Sequence, residues 1–183
     1  MTAIDLGRPV QGDVVELILE DHRRFEDLMR TMRDATADRD AARRAFAELH
    51  VAHARAEEEL VYPQLRRKDA IGEHEEEHGH EEHAEGNEAL LAVLELKGTD
   101  TQAFDDAVEG LTKAVSHHLA EEELTILNPA RAAVSERVRA ELGASFCAAR
   151  NQLIDDGCGA LSNVRHLVHE AARAGLLEGD AEQ

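Results

Sequence analysis

Apolar residues recur along this chain in alternating steps of three and four, the spacing of one face of an α-helix. The first run is Val14, Ile18, Phe25, Met29 and Met32, with Asp13 placed as an N-cap, and it predicts a helix to about Ala35. A second helix is predicted from about Arg39 to Arg67, with Phe46, Leu49 or His50, His53, Glu57, Leu60 and Gln64 on its seam. Pro63 is expected to kink or close its last turn. Gly72 breaks the pattern, and a third helix follows with Leu90, Leu91 and Leu94 as its stripe, ending before Gly98. The fourth starts near Thr99 or Asp100 and carries Phe104, Val108, Leu111, Val115, His118, Glu122 and Thr125; Asn128-Pro129 is expected to end it. Residues 1–12, with Gly7, Pro9 and Gly12, read as an extended lead-in. Beyond residue 130, Ser135 can cap a helix with Val138, Leu142, Phe146 and Leu153 inward, stopping at Gly157. A shorter helix covers Leu161 to about Ala174.

This is the pattern of an all-α chain: an up-down-up-down four-helix bundle over residues 13–130 with a C-terminal helical extension, 131–183, packed on the bundle. The extension holds only His166 and His169 and no acid-histidine pair on its seam, so it is expected outside the bundle as a cover or a homodimer contact.

The seams are interrupted by chemistry. His53 and Glu57, and again His118 and Glu122, are four residues apart where a bundle interior should have leucines. That spacing aims an imidazole and a carboxylate the same way, one turn apart. Burying such groups unpaired is costly, and a metal ion removes the cost. His22 interrupts the first seam; alone it would be read as a hydrogen-bonded core histidine. Helix three opens with a dense Glu/His run, residues 73–85, in which His74, His78, His80 and His83 are all candidates. The run also reads as a solvated acidic helix start or a loose surface metal binder. His83 is chosen because it joins smoothly to the Leu90–Leu94 stripe.

The four seam histidines can meet only if they lie at one level of the bundle. At about 1.5 Å per residue, His22 and His53 each lie roughly 20 Å from the first turn. Glu57 and His83 are each about ten residues from the second turn, and His83 and His118 are about fourteen and seventeen from the third, a mismatch below one helical turn. All four fall in one layer. His50 and His117 sit beside the seam, as exposed residues or as supports of the ligands.

Composition narrows the function. A net charge of −19 argues against nucleic-acid and anionic membrane surfaces. The 43% hydrophobic content is globular, and with aromatics at 3% it rests on Ala, Leu and Val, which suit helices. Cys147 and Cys158 have no zinc or redox spacing and read as small, semi-buried apolar residues. The acidic first twenty residues hold no apolar run with a basic flank, so a cytoplasmic protein is expected. Four imidazoles and two carboxylates without a thiolate exceed the needs of one tetrahedral zinc and suit a pair of first-row ions such as iron or manganese.

Asp21-His22, His53-Ala-Arg-Ala-Glu57-Glu58 followed by Tyr62-Pro63, Glu82-His83, and His118-Leu-Ala-Glu-Glu122-Glu123 followed by Asn128-Pro129 together resemble the hemerythrin-like (HHE cation-binding) family. The resemblance spans residues 13 to about 130. It implies a four-helix bundle holding two non-haem iron ions, bridged by Glu57 and Glu122, with His22, His53, His83 and His118 as terminal ligands. The oxygen-carrying members place a second histidine one turn after the helix-three ligand, where this chain has Asn87. They also have an aspartate five residues after the helix-four histidine, where this chain has Glu123. Fewer protein nitrogens leave more open coordination positions. O2, H2O2 or NO chemistry, including peroxide disproportionation, or sensing of these ligands, is therefore expected over reversible oxygen transport. The alternative expectation is a non-enzymatic iron- or oxygen-responsive regulatory module. Tyr62 lies off the seam angle and is expected to pack rather than to serve the centre.

Overall fold

The computed structural model describes residues 4–177. Among them are six helices and no strand: α1 (Val14–Arg33), α2 (residues 39–67), α3 (Glu73–Glu95), α4 (residues 102–133), α5 (Glu136–Asp155) and α6 (Leu161–Ala174). Among the described residues no helix is long and apolar enough to cross a membrane. Local signals set the starts. The Asp13 carboxylate accepts the Val15 N–H at 3.0 Å, Asp38 accepts Ala41 N–H at 2.9 Å, and the Thr101 hydroxyl accepts Phe104 N–H at 3.2 Å. At α3, Glu73, Glu75 and Glu76 crowd the first turn, where the helix dipole favours negative charge.

α4 runs past Asn128-Pro129, which is expected to end it, and α2 continues through Pro63 to residue 67, the end expected for it. Each contains a five-residue π turn, Glu57–Val61 in α2 and Glu123–Leu127 in α4. The Tyr62 N–H reaches Glu57 O and the Asn128 N–H reaches Glu123 O, five residues back. Pro63 and Pro129 then fall in the first turn of the next α segment, where a missing N–H is tolerated. The extra residue turns everything downstream by about 100°. Val61, Tyr62 and Leu65 are therefore buried, while the expected seam residues Leu60 and Gln64 are only half-buried. In α4 the same rotation leaves Thr125 exposed and buries Ile126, Leu127 and Ala130. On α3, Leu90 and Val93 are the fully buried pair, with Leu91 and Leu94 half-buried against the core.

The ends of α1 and α3 and the starts of α2 and α4 meet at one end of the molecule. Arg39 Nε donates to Met32 O at 2.6 Å, pairs with Asp105, and lies over the Phe104 ring at 4.6 Å. Arg43 donates to Leu96 O at 2.7 Å. Two apolar clusters result. One is built around Phe25, Met32, Phe46, Leu90, Phe104 and Leu111, the other around Ile18, Val61, Tyr62, Leu65, Ile126 and Phe146. The histidine layer lies between them.

The extension packs against the helices that carry the seams. α5 packs along α1 and α2, and α6 along α3. Arg139, Phe146, Cys147 and Arg150 face inward, with Val138 and Leu153 only half-buried. Both cysteines are buried and free, and burial pushes the Cys158 thiol up to about 12. Arg150 is fully buried; its Nη2 and Nη1 also bond Leu6 O and Gly7 O at 2.8 and 3.2 Å, fastening the lead-in to α5. Gly157, at φ 71°, ends α5 in a conformation that favours glycine. Gly159 then crosses α2 so closely that a Cβ would stand 2.3 Å from Glu48 N.

Gly159→Ala should destabilise the protein by about 1–3 kcal/mol, because the atoms in the way are backbone. Gly98→Ala, with open space at its Cβ, serves as the reference substitution. Urea unfolding of the two variants measures this, and equal midpoints would show that the α5–α6 turn does not dock on α2.

Candidate metal centre

The layer foreseen from helix lengths is present. His22 (α1), His53 and Glu57 (α2), His83 (α3), and His118 and Glu122 (α4) are all buried between the two apolar clusters. Their inward atoms fall into two groups, each with donor atoms within 4.8 Å of one another: His22, His53, Glu57 and Glu122, and Glu57, His83 and His118. Glu57 belongs to both. Its Oε1 lies 3.2 Å from His53 Nε2 and its Oε2 3.3 Å from His83 Nε2. Glu122 Oε2 stands 3.1 Å from His22 Nε2 and 3.7 Å from His118 Nε2.

His22 Nε2 and Glu122 Oε2 are hydrogen-bonded; the other atoms are close without being so. Both oxygens of Glu57 and the Nε2 atoms of His53, His83 and His118 have no hydrogen-bond partner, although all are fully enclosed. Buried polar groups are almost always paired, so this cluster of exceptions requires a physical reason. The donors point at common foci rather than at each other.

The opposite nitrogens are firmly held. His53 Nδ1 is 3.3 Å from Asp21 Oδ2, His83 Nδ1 2.8 Å from Glu58 Oε1, His118 Nδ1 3.0 Å from Glu82 Oε2, and His22 Nδ1 3.0 Å from Glu123 Oε1. Each acid is the chain neighbour of a seam residue and serves the histidine of another helix. The order closes into a ring: α1 supports α2, α2 supports α3, α3 supports α4, and α4 supports α1. A carboxylate on Nδ1 fixes the ring orientation and the tautomer and leaves the Nε2 lone pair free to coordinate.

Charge in the layer is balanced internally. Burial works to lower the His53 pKa, but Glu57 and Asp21 override it and raise it to about 9. Burial acts the same way on His83, and Glu57 and Glu58 raise it to about 10. For Glu57, burial would push the carboxyl up, yet His53 and His83 hold it well below the usual range. Without metal these histidines carry protons, and a cation would have to displace them.

Several residues off the predicted seams enter the site. The Tyr62 hydroxyl donates to Glu122 Oε1 at 3.0 Å, because the π turn rotates the ring inward. Arg150 from α5 grips Asp21 with Nε to Oδ2 at 2.6 Å and Nη2 to Oδ1 at 2.8 Å, and Phe146 meets the His53 ring edge-on at 5.9 Å. No periodicity pointed to Arg150, whereas the acids beside each seam residue were visible as Asp21-His22, Glu57-Glu58, Glu82-His83 and Glu122-Glu123. His50 is buried, stacked on Phe46 at 5.6 Å, with Nε2 unpartnered; burial and the neighbouring His83 keep it neutral. Gly86 opposite leaves room for its ring, since a Cβ there would lie 2.9 Å from His50 Cε1. Of the other candidates on α3, His74 is exposed, and His78 and His80 are half-buried outside the layer. His117, His166 and His169 are exposed.

No curated protein and no solved structure matches this chain. A family model, the hemerythrin HHE cation binding domain, matches residues 13–130, the stretch that holds every member of the layer. The chain belongs to the hemerythrin HHE cation-binding family.

Proposed function

We propose that α1–α4 form an up-down-up-down bundle built to hold two non-haem iron ions. His22 and His53 would serve one ion, His83 and His118 the other, and Glu57 and Glu122 would lie between them. In this reading residues 13–130 are the metal-binding domain and α5–α6 an extension packed upon it. The observation that carries it is that the enclosed donors fall into two groups sharing Glu57, and that both Glu57 oxygens and the Nε2 atoms of His53, His83 and His118 have no hydrogen-bond partner. The donor set of imidazole and carboxylate, with no thiolate, suits first-row ions in a pair.

Such a pair, when bound, supplies one-electron chemistry and Lewis acidity toward O2, H2O2 or NO. The chain's own residues set the conditions. Glu57 and Glu122 keep negative charge at the centre, and the four outer acids hold the imidazoles in the coordinating tautomer. Tyr62 O–H sits on Glu122 and can hold a proton beside the reacting face. Asn87 stands where a further histidine would complete a reversible oxygen site, which favours reaction over transport. Its Oδ1 is buried and unpartnered, and it lines a cavity of about 200 Å³ between α2, α3 and α6, with Glu58, His80 and Ala84.

One observation favours a second reading, a responsive module without turnover. The chain His53–Asp21–Arg150 runs from the centre into α5, so a change at His53 is felt in the extension. Anaerobic iron loading, followed by exposure to O2, H2O2 and NO in turn, separates the two: sustained consumption marks the enzyme, and a single spectral change marks the sensor.

The buried layer of the loaded protein should hold about two irons per chain, since six donors are too many for one tetrahedral ion. His53→Ala or His118→Ala should lose metal, and His166→Ala and His169→Ala should keep it. Equal metal content in all four variants would reject the assignment.

Metal affinity should rise with pH by about tenfold per unit for each proton displaced. His53 and His83 have pKa values raised to about 9 and about 10, so the rise should continue to that range. In the metal-free protein the sign is opposite for stability. These raised pKa values stabilise the fold fully below the ordinary histidine value of 6.5. That contribution is lost as pH climbs through about 9 and 10. A flat affinity profile between neutral pH and pH of about 9 would show that no proton is displaced.

Tyr62→Phe should keep both irons but leave Glu122 Oε1 unpaired, costing about 1–3 kcal/mol in the metal-free protein. Loss of iron in this variant would make Tyr62 part of the metal-holding set instead.

A further inference from the structure

The Glu/His run at the start of α3 contains donors that the buried layer does not use. His78 and Glu82 on α3 are four residues apart, and so are His117 and Glu121 on α4. This is the spacing of the buried pairs, moved one residue off the α4 seam. The two pairs face each other. His78 Nε2 is 3.1 Å from Glu121 Oε2 and 3.7 Å from Glu82 Oε1. His117 Nε2 is 3.7 Å from the same Glu82 oxygen and 3.8 Å from Glu121 Oε1. Donor atoms of His78, Glu82 and Glu121 lie within 4.8 Å of one another.

Glu82 distinguishes this group from an ordinary solvated acidic face. It is 7% exposed, and its Oε2 supports His118 Nδ1 at 3.0 Å. Its Oε1 is fully enclosed and has no hydrogen-bond partner, although it faces His78 and His117. A buried carboxylate oxygen without a partner is unfavourable, and a cation between these side chains would satisfy it. Two imidazoles and two carboxylates suit a divalent first-row ion and not magnesium or calcium, which take oxygen alone. The side chains of His78, His117 and Glu121 are 39%, 62% and 41% exposed, so the group is open to solvent. The net charge of −19 draws cations toward such a surface.

We propose that His78, Glu82, His117 and Glu121 form a separate divalent-cation site on the outside of the α3–α4 pair, which loads the buried centre. Glu82 touches both places, one oxygen outward and one on His118. The outer site stands on its own residues; its loading role rests on the di-iron reading.

The test uses the metal-free full-length protein and Co(II) alone, with metal counting after equilibrium dialysis and stopped-flow absorption. Wild type should hold about three Co(II) per chain, two from the buried set and one outside. His78→Ala/His117→Ala should hold one fewer, and its buried pair should fill about tenfold more slowly, the low end of what locally concentrated ions contribute to an on-rate. His53→Ala/His118→Ala should keep the outer ion. Circular dichroism confirms that each variant is helical, and Glu121→Gln is a second outer variant with the same expectation. Unchanged stoichiometry in the outer variants overturns the site, and an unchanged filling rate overturns its loading role. If wild type holds a single ion that the outer variants lose, the outer site stands and the buried-pair reading falls.

Discussion

Glu57 is a carboxylate with no exposed surface, no hydrogen-bond partner on either oxygen, and an apolar cluster on each side. An ionised group in such a place is tolerable only with positive charge beside it. In the metal-free protein that charge is the protons on His53 and His83; with metal, the cations supply it. The rest of the molecule serves this constraint. The outer acids hold each histidine toward the centre, Arg150 neutralises Asp21 where it is cut off from water, and α5 brings that arginine into place. The extension is part of the electrostatic balance of the layer, and the lead-in it clamps is fastened by the same guanidinium.

The seam pattern located the six helices, and helix lengths put the four seam histidines at one level, because repeated apolar steps and helix lengths are local properties. Choosing His83 from four histidines in the run rested on its register with Leu90, and it is the member of that run that lies in the layer. What escaped did so for definite reasons. A seam counted at a constant 3.6 residues per turn cannot contain a π turn, so it puts Leu60, Gln64 and Thr125 inward and Tyr62 off the seam as a packing residue. Arg150 has no periodic signature at all. Its partner lies 129 residues away, and only the folded chain brings the two together.

The two π turns begin one residue apart in register, at Glu57 itself in α2 and directly after Glu122 in α4. Such widened turns are frequent at functional sites. Here they let one helix present a carboxylate to the centre and then turn a different face to the second apolar cluster. Pro63 and Pro129 follow at the same offset in both, each settled in the α segment after the widened turn. The pair of helices thus repeats one local solution twice.

The ring of supporting acids also has a rotational sense. Asp21 and Glu82 precede their neighbouring histidines on α1 and α3, while Glu58 and Glu123 follow their neighbouring glutamates on α2 and α4. One residue along a helix is a turn of about 100° about its axis. With adjacent helices antiparallel, as proposed above, stepping back on one and forward on the next swings the side chain the same way around the bundle. Four amphipathic helices with similar stripes can otherwise be wound clockwise or anticlockwise at nearly equal cost, since apolar contacts do not record chirality of connection. In the opposite winding each acid would face the wrong neighbour, and all four imidazoles would lose their support together. In the proposed up-down-up-down bundle, the acids that hold the imidazoles would thereby also favour one handedness of winding.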